Sequence, residues 1–211
     1  MPNGEVNQMY RGRLLQARRW RGAATAIVAA TLTGCASSGD RSERPEMPRG
    51  WTELDSQSST DDIVFAGQPD PAGLVAYRQA GGRVVVNFRT EREMTGSVGY
   101  DEAALAESLG LELVHIPVSS KTLTLDEVER FAEVYREHKA SGTKTPLLTH
   151  CGSGGRCKVM YAGYLIVEEG MTADEAFARA IELGADPEWS SMQRMRELTA
   201  GEPSPGDQAE G

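Results

Sequence analysis

The sequence predicts an α/β fold: a three-layer α/β/α sandwich on a mainly parallel central sheet. Three observations point there. Short runs of strand character alternate with helical segments from Asp62 to Leu198. Two of the runs, Arg83 to Phe88 (RVVVNF) and Pro146 to Thr149 (PLLT), are strongly apolar or β-branched. Alternation of this kind builds a largely parallel sheet covered on both faces. Third, right-handed crossovers bring every strand-to-helix turn to one edge, where such sheets bind ligands. Three segments converge there: Arg89 to Glu93, Ser119 to Thr122, and Cys151 to Arg156.

The elements follow in order. Asp62 to Ala66 (DIVFA) is a short strand. Asp70 is an N-cap and Pro71 a first helical residue. That helix runs to Gln79 and stops at Gly81-Gly82. Arg83 to Phe88 is the next strand, Tyr100 to Leu109 a helix closed by Gly110, and Leu111 to Val118 (LELVHIPV) a strand. Thr124 to Glu127 (TLDE) has the form of a capping box. Behind it, Leu125, Val128, Phe131, Ala132 and Tyr135 share one helical face. Pro146 to Thr149 is a buried strand and Cys157 to Glu169 a buried helix. Two further helices lie near Thr172 to Leu183 and Pro187 to Leu198. His115 reads as a hydrogen-bonded core residue of its strand, and His138 as solvated near a helix end.

The ends of the chain differ in composition. Five arginines between Arg11 and Arg21 precede an apolar run, Ala23 to Leu32, too short to span a bilayer. Leu32-Thr33-Gly34-Cys35 then resembles a bacterial lipobox, in which the cysteine is lipidated. The expected organisation is a lipoprotein-type signal peptide at 1–34, a flexible tether at 35–61, a folded domain at 62–199 and a disordered tail at 200–211. The expected location is the cell envelope, outside the cytoplasm, with a membrane contact through lipid on Cys35. The whole chain of 211 residues carries a net charge of −9. Taking away the five basic residues and one acid before Cys35 leaves 17 basic against 30 acidic residues, a charge of −13. That excess and the lack of a basic face argue against nucleic acid as a partner. No Cys/His spacing indicates zinc or another metal, and no cofactor is implied.

The chemistry concentrates in Thr149 to Val159 (THCGSGGRCKV). Gly152, Gly154 and Gly155 let the backbone turn its N–H groups inward, and a helix begins just after. Such a loop makes a concave anion site. Arg156 closes it with a planar, always-charged fork suited to an oxyanion. The same donors favour the Cys151 thiolate. Nucleophile, cradle and cation in one loop suit attack on a phosphoryl or sulfur centre through a covalent cysteine intermediate. The plain structural alternative is a glycine-rich turn with a disulfide between Cys151 and Cys157.

From Asp62 to Ala185 the chain resembles the cysteine-dependent phosphatase superfamily. Within it, the chain is similar to the bacterial protein-tyrosine-phosphatase-like group known as beta-lactamase hydrolase-like phosphatases. The stretches that carry the resemblance are AGQPDPAGL (Ala66 to Leu74), VVVNFRTERE (Val84 to Glu93), LVHIPV (Leu113 to Val118), THCGSGGR (Thr149 to Arg156) and GMTADEAFARAIELG (Gly170 to Gly184). The resemblance implies a cysteine-phosphatase-like α/β/α fold with Cys151 as nucleophile. It implies that Gly152, Ser153, Gly154, Gly155 and Arg156 bind phosphate, and that His150 tunes the thiolate from behind. The substrate implied is a phosphorylated protein or small molecule. Cys157 stands where related phosphatases often place a hydroxyl, and is a candidate resolving cysteine for Cys151.

Two features depart from the best-known phosphatases. Four residues rather than five separate Cys151 from Arg156, a spacing shared with many rhodanese-like proteins, whose loop carries a persulfide. The loop Ser119 to Thr122 lacks the aspartate that usually protonates the leaving oxygen. Glu91, Glu93 and Asp126 are the candidate general acids. The expected activity is phosphoester hydrolysis. A sulfurtransferase and a non-catalytic anion-binding module are the alternatives.

Overall fold

The computed structural model describes residues 58–200. The expected signal peptide, Cys35, the tether as far as residue 57 and the tail from 201 lie outside the described residues.

Five strands form one sheet in the order β1-β2-β5-β3-β4. They are β1 (Ser58–Ser59), β2 (Ile63–Ala66), β3 (Val84–Asn87), β4 (Glu112–His115) and β5 (Leu147–His150). β1 pairs antiparallel with β2, while β2–β5, β5–β3 and β3–β4 are parallel. The helices are α1 (Pro71–Gln79), α2 (Glu91–Ser97), α3 (Glu102–Leu109), α4 (Leu125–Ala140), α5 (Gly155–Val167), α6 (Ala173–Glu182) and α7 (Ser190–Thr199). No helix of the described residues is long and apolar enough to cross a membrane.

The two-residue period of the strands sorts side chains between two cores. Ile63, Phe65, Val86 and Leu147 pack with residues of α4, α5, α6 and α7. Val64, Ala66, Val85 and Leu148 pack with Leu74 and Tyr77 of α1 and Ala106 of α3. The result is the expected three-layer α/β/α sandwich. All four residues of β2 and of β5 are buried, as central strands of a covered parallel sheet must be. The same parity matters for function. Asn87 and His150 end their strands side by side in register, on the α1/α3 face. Cys151, one residue further, joins the opposite core.

Several boundaries differ from the sequence reading, each for a local reason. Arg89 to Glu93 is not an open loop, because Glu91–Ser97 forms α2. Thr90 and Glu93 cap it reciprocally, a Thr-x-x-Glu box hidden among charged residues with no apolar face. α5 begins at Gly155 rather than Cys157, since Gly154 adopts a left-handed φ of 82° as its cap. Arg156 is therefore helical. α7 starts at Ser190, after a turn in which Asp186 accepts the Glu188 and Trp189 amides. Ser58–Ser59 pairs with β2 inside the segment read as tether, because the edge of β2 offers it backbone partners. His138 is buried and bonded to the Thr145 carbonyl, not solvated.

Candidate active site

β5 is a buried strand that ends at His150. Its chain then turns through Cys151 to Gly154 and enters α5 at once. This turn is possible because Gly154 takes a backbone conformation that a side chain would strain. The turn carries the α5 N-terminus onto the sulfur. The Gly154 N–H donates to Cys151 Sγ at 3.1 Å. Beneath it, Cys157 is fully buried in the first turn of α5. Its Sγ lies 3.9 Å from the Ala66 carbonyl, which also accepts the Cys151 amide at 3.2 Å. Both sulfurs are free thiols.

These donors hold the Cys151 sulfur far below the ordinary thiol range, at about 4. The Cys157 thiol donating to it is the largest cause. Burial opposes the shift, and the Ser153 and Arg156 amides and the Arg156 charge reinforce it. Cys157 moves the other way, well above its usual value, through burial and its neighbour's negative charge. One sulfur is thus an anion at neutral pH and the other remains a protonated donor.

Gly152 and Ser153 form the exposed rim of the loop, and the Ser153 backbone bridges to Gly67. Gly155 has no room for a side chain: a Cβ there would lie 2.9 Å from the Trp189 ring. The loop is thereby pinned on two sides, against the turn after β2 and against the start of α7.

Arg156 is anchored by four acceptor contacts. Its Nη1 donates to the Phe88 carbonyl at 3.1 Å, the Val118 carbonyl at 2.9 Å and Glu93 Oε2 at 2.8 Å. Its Nη2 donates to Glu93 Oε1 at 2.6 Å. The bidentate pair fixes the plane of the fork. A side chain at Gly152 would meet Nη2 at 3.6 Å, so the guanidinium faces the rim of the loop.

The expected acids take other positions. Glu93 is held down at about 2, chiefly by its hydrogen bonds from Arg156, with burial opposing. A carboxylate ionised at neutral pH does not donate a proton, so Glu93 orients Arg156 instead of serving as general acid. Glu91 is exposed and lies 3.4 Å from His115 Nδ1. His115 is half-buried and bonds the Arg89 carbonyl at 2.7 Å, holding that turn. Asp126 is exposed in the first turn of α4, where the helix dipole accounts for an acid.

Behind the loop is a group that the sequence reading missed. His150 Nε2 lies 2.9 Å from Glu102 Oε1, with both side chains wholly inaccessible. The contact is close but too bent to count as a full hydrogen bond. Asn87 Nδ2 donates to Glu102 Oε2 at 2.6 Å and Gln68 Nε2 to Oε1 at 3.2 Å. Burial pushes the Glu102 carboxyl up, but these donors outweigh it and hold the group below its usual value. In sequence Glu102 reads as a first-turn helix acid, and only its burial marks it out. Among the described residues no group of three His, Cys, Asp or Glu side chains is placed to hold a metal ion.

Residues 49–197 match the family described as DSP-PTPase phosphatase fused to NAD+ kinase. The beta-lactamase hydrolase-like proteins of Xylella fastidiosa strains Temecula1 and 9a5c are 26% identical over 139 residues, covering 64% of this chain and 31% of theirs. The match thus spans about a third of the length of those relatives. Tk-PTP, solved in its active form, superposes with a TM-score of 0.57 at 19% identity, covering 69% of this chain and 97% of that one. A DUF442 protein from Shewanella putrefaciens CN-32 gives 0.55 at 20% identity, covering 74% and 96%. These likenesses show the same fold.

Proposed function

We propose a cysteine-dependent mechanism for this chain, which belongs to the family of DSP-PTPase phosphatases fused to NAD+ kinase and is a phosphohydrolase of the protein-tyrosine-phosphatase-like fold. The observation that carries the reading is a sulfur held as an anion at about 4 in the same loop as an anchored guanidinium. The Cys151 thiolate attacks phosphorus, the bond to the leaving oxygen breaks, and a phosphocysteine forms. Water then attacks phosphorus, releasing phosphate and the thiolate. The loop amides of Gly152 to Gly155 and the Arg156 fork hold the equatorial oxygens, where negative charge is concentrated in the transition state.

Proton transfer to the leaving oxygen is the weak step. Glu93 is ionised, and its loss as an acid forfeits a factor of about 10²–10⁴ for leaving groups that need a proton. Substrates with more acidic leaving groups, such as the phenols of aryl phosphates, suffer least from that loss. Phosphotyrosine and other aryl phosphates, on proteins or small molecules, are therefore the substrate class this site favours.

A paired assay tests the reading: phosphate release from an aryl phosphate, and thiocyanate formation from thiosulfate and cyanide. Each is run on the wild type and on Cys151→Ser. Phosphate release that vanishes in the variant is expected. Thiocyanate alone would make the protein a sulfurtransferase, in keeping with its four-residue Cys-to-Arg spacing. Silence in both would leave an anion-binding module. The envelope location is proposed from Leu32 to Cys35. Lipid-labelled protein that partitions with membranes and starts at Cys35 is expected, and full-length unprocessed chain in the cytosol would refute it.

A further inference from the structure

We propose that Glu102 is the positioning residue of the Cys151 site, a buried carboxylate that clamps the turns around the sulfur and so keeps the loop donors aimed at it. The proposal rests on the reading of Cys151 as nucleophile. It starts from the strand order, which sets β5 between β2 and β3. The turns after these three strands are therefore neighbours, and Cys151 stands in the middle one.

Glu102 reaches all three strand ends. It meets Gln68 after β2, Asn87 at the end of β3 and His150 at the end of β5. Each contact leads one step further to the site. Gln68 follows Gly67, whose backbone bridges Ser153 on the rim. Asn87 Oδ1 accepts the Arg89 amide at 2.7 Å, which fixes the Phe88 peptide between them. The Phe88 carbonyl in turn holds Arg156 at 3.1 Å, and the Phe88 amide bonds the His150 carbonyl at 2.8 Å. His150 precedes the nucleophile directly.

Charge explains why a carboxylate serves here. Three side chains present nitrogen to one buried point, and a carboxylate is acceptor-only with room for several donors. Burying a carboxylate is costly, and its three partners offset that cost. Asp101 caps α3 by accepting the Ala104 amide, so Glu102 starts a fixed helix and its side chain is not free to follow a moving loop. A glutamine in its place keeps the shape, loses the charge and turns an amide N–H₂ toward one of the donors.

The test reads the sulfur directly and needs no substrate. The rate of Cys151 alkylation by iodoacetamide is followed against pH in the full chain, with peptide mass to identify the labelled cysteine. Wild type, Glu102→Gln and Gln68→Leu are compared, with melting temperatures taken in parallel. In Glu102→Gln the midpoint should move upward by about one pH unit, since donors drifting from Sγ stabilise the thiolate less. Gln68→Leu, which removes one tether only, should move it the same way by less. If Glu102→Gln does not fold, Gln68→Leu alone decides. An unmoved midpoint with a lowered melting temperature would reduce Glu102 to packing. A midpoint moved down would make it only a through-space charge, and either result overturns the proposal. A wild-type protein with an ordinary thiol midpoint would instead sink the nucleophile reading itself.

Discussion

The Cys151 sulfur is a thiolate at neutral pH because the Cys157 thiol, the loop amides and the Arg156 charge all stabilise its anion. That shift couples to stability. The folded value lies near 4 and the ordinary thiol value is 9.0, so the ionised sulfur's contribution is full above about pH 9 and declines as pH falls toward 4. Cys151→Ser lacks it. The variant should therefore gain stability relative to wild type on acidification between those limits, as read from denaturant unfolding at several pH values. A constant difference would show that the thiolate is not formed. Arg156 makes a second prediction. Its fork spans Glu93 and two carbonyls at once, a geometry that an ammonium cannot copy. Arg156→Lys should lose about 10²–10³-fold in kcat and weaken vanadate inhibition. Near-full activity would refute the cradle. Cys157 makes a third. It packs beneath Cys151 against a shared carbonyl. Peroxide should oxidise the Cys151 thiolate to a sulfenic acid, which the Cys157 thiol then condenses with, releasing water and forming a disulfide. Peptide mapping should find the linked pair, with activity restored by dithiothreitol in the wild type and not in Cys157→Ser. Equal recovery in both proteins would leave Cys157 as a packing thiol.

At the scale of elements, the site depends on how α5 is seated. Its N-terminus points at the sulfur because β5 ends, turns in four residues and caps on a left-handed glycine. Its first turn is held from outside by Trp189, whose ring leaves no space for a side chain at Gly155. Gly155→Ala should thus cost about 1–3 kcal/mol. Trp189→Ala should recover part of that loss, because it removes the ring the new methyl strikes. A double-mutant cycle by thermal unfolding measures the coupling. Additive effects would mean the turn relaxes by another route. α2 makes the complementary case. It contributes no buried residue, yet it positions Glu93 for Arg156 through a capping box. A helix with no apolar face leaves no periodic signal, which is why that segment reads as a loop in sequence.

At the scale of the whole molecule, the two cores lie on opposite faces of the sheet and the site sits at the edge where both layers meet. The far end of the sheet is tied separately. Tyr77 is buried and donates to the Val84 carbonyl at 2.7 Å and contacts the Pro146 carbonyl at 3.2 Å, and its oxygen accepts the Leu148 amide at 3.3 Å. Burial pushes its hydroxyl up to about 12, so it stays a donor throughout the working range. Tyr77→Phe removes these buried hydrogen bonds and should cost about 1–3 kcal/mol by chemical denaturation. Since Tyr77 lies at the opposite end of β5 from Cys151, kcat/KM of the folded enzyme should stay within twofold. A large loss of activity would mean that strain at one end of β5 reaches the other.

The sequence by itself determined what local chemistry and period determine. Strand and helix alternation predicted the layers, and the Cys-to-Arg string with its glycines marked the turn that folds around the Cys151 sulfur. Those signals are contiguous, so spacing along the chain reveals them. Only the tertiary structure decided which acid does what. Glu91, Glu93, Glu102 and Asp126 look alike in sequence, each near or in the first turn of a helix. Strand order brought Glu93 to Arg156 and Glu102 to His150 across separations of 63 and 48 residues. Burial and donors then set their charge. A carboxylate's part depends on the partners that folding places around it, and those partners come from strands distant in sequence.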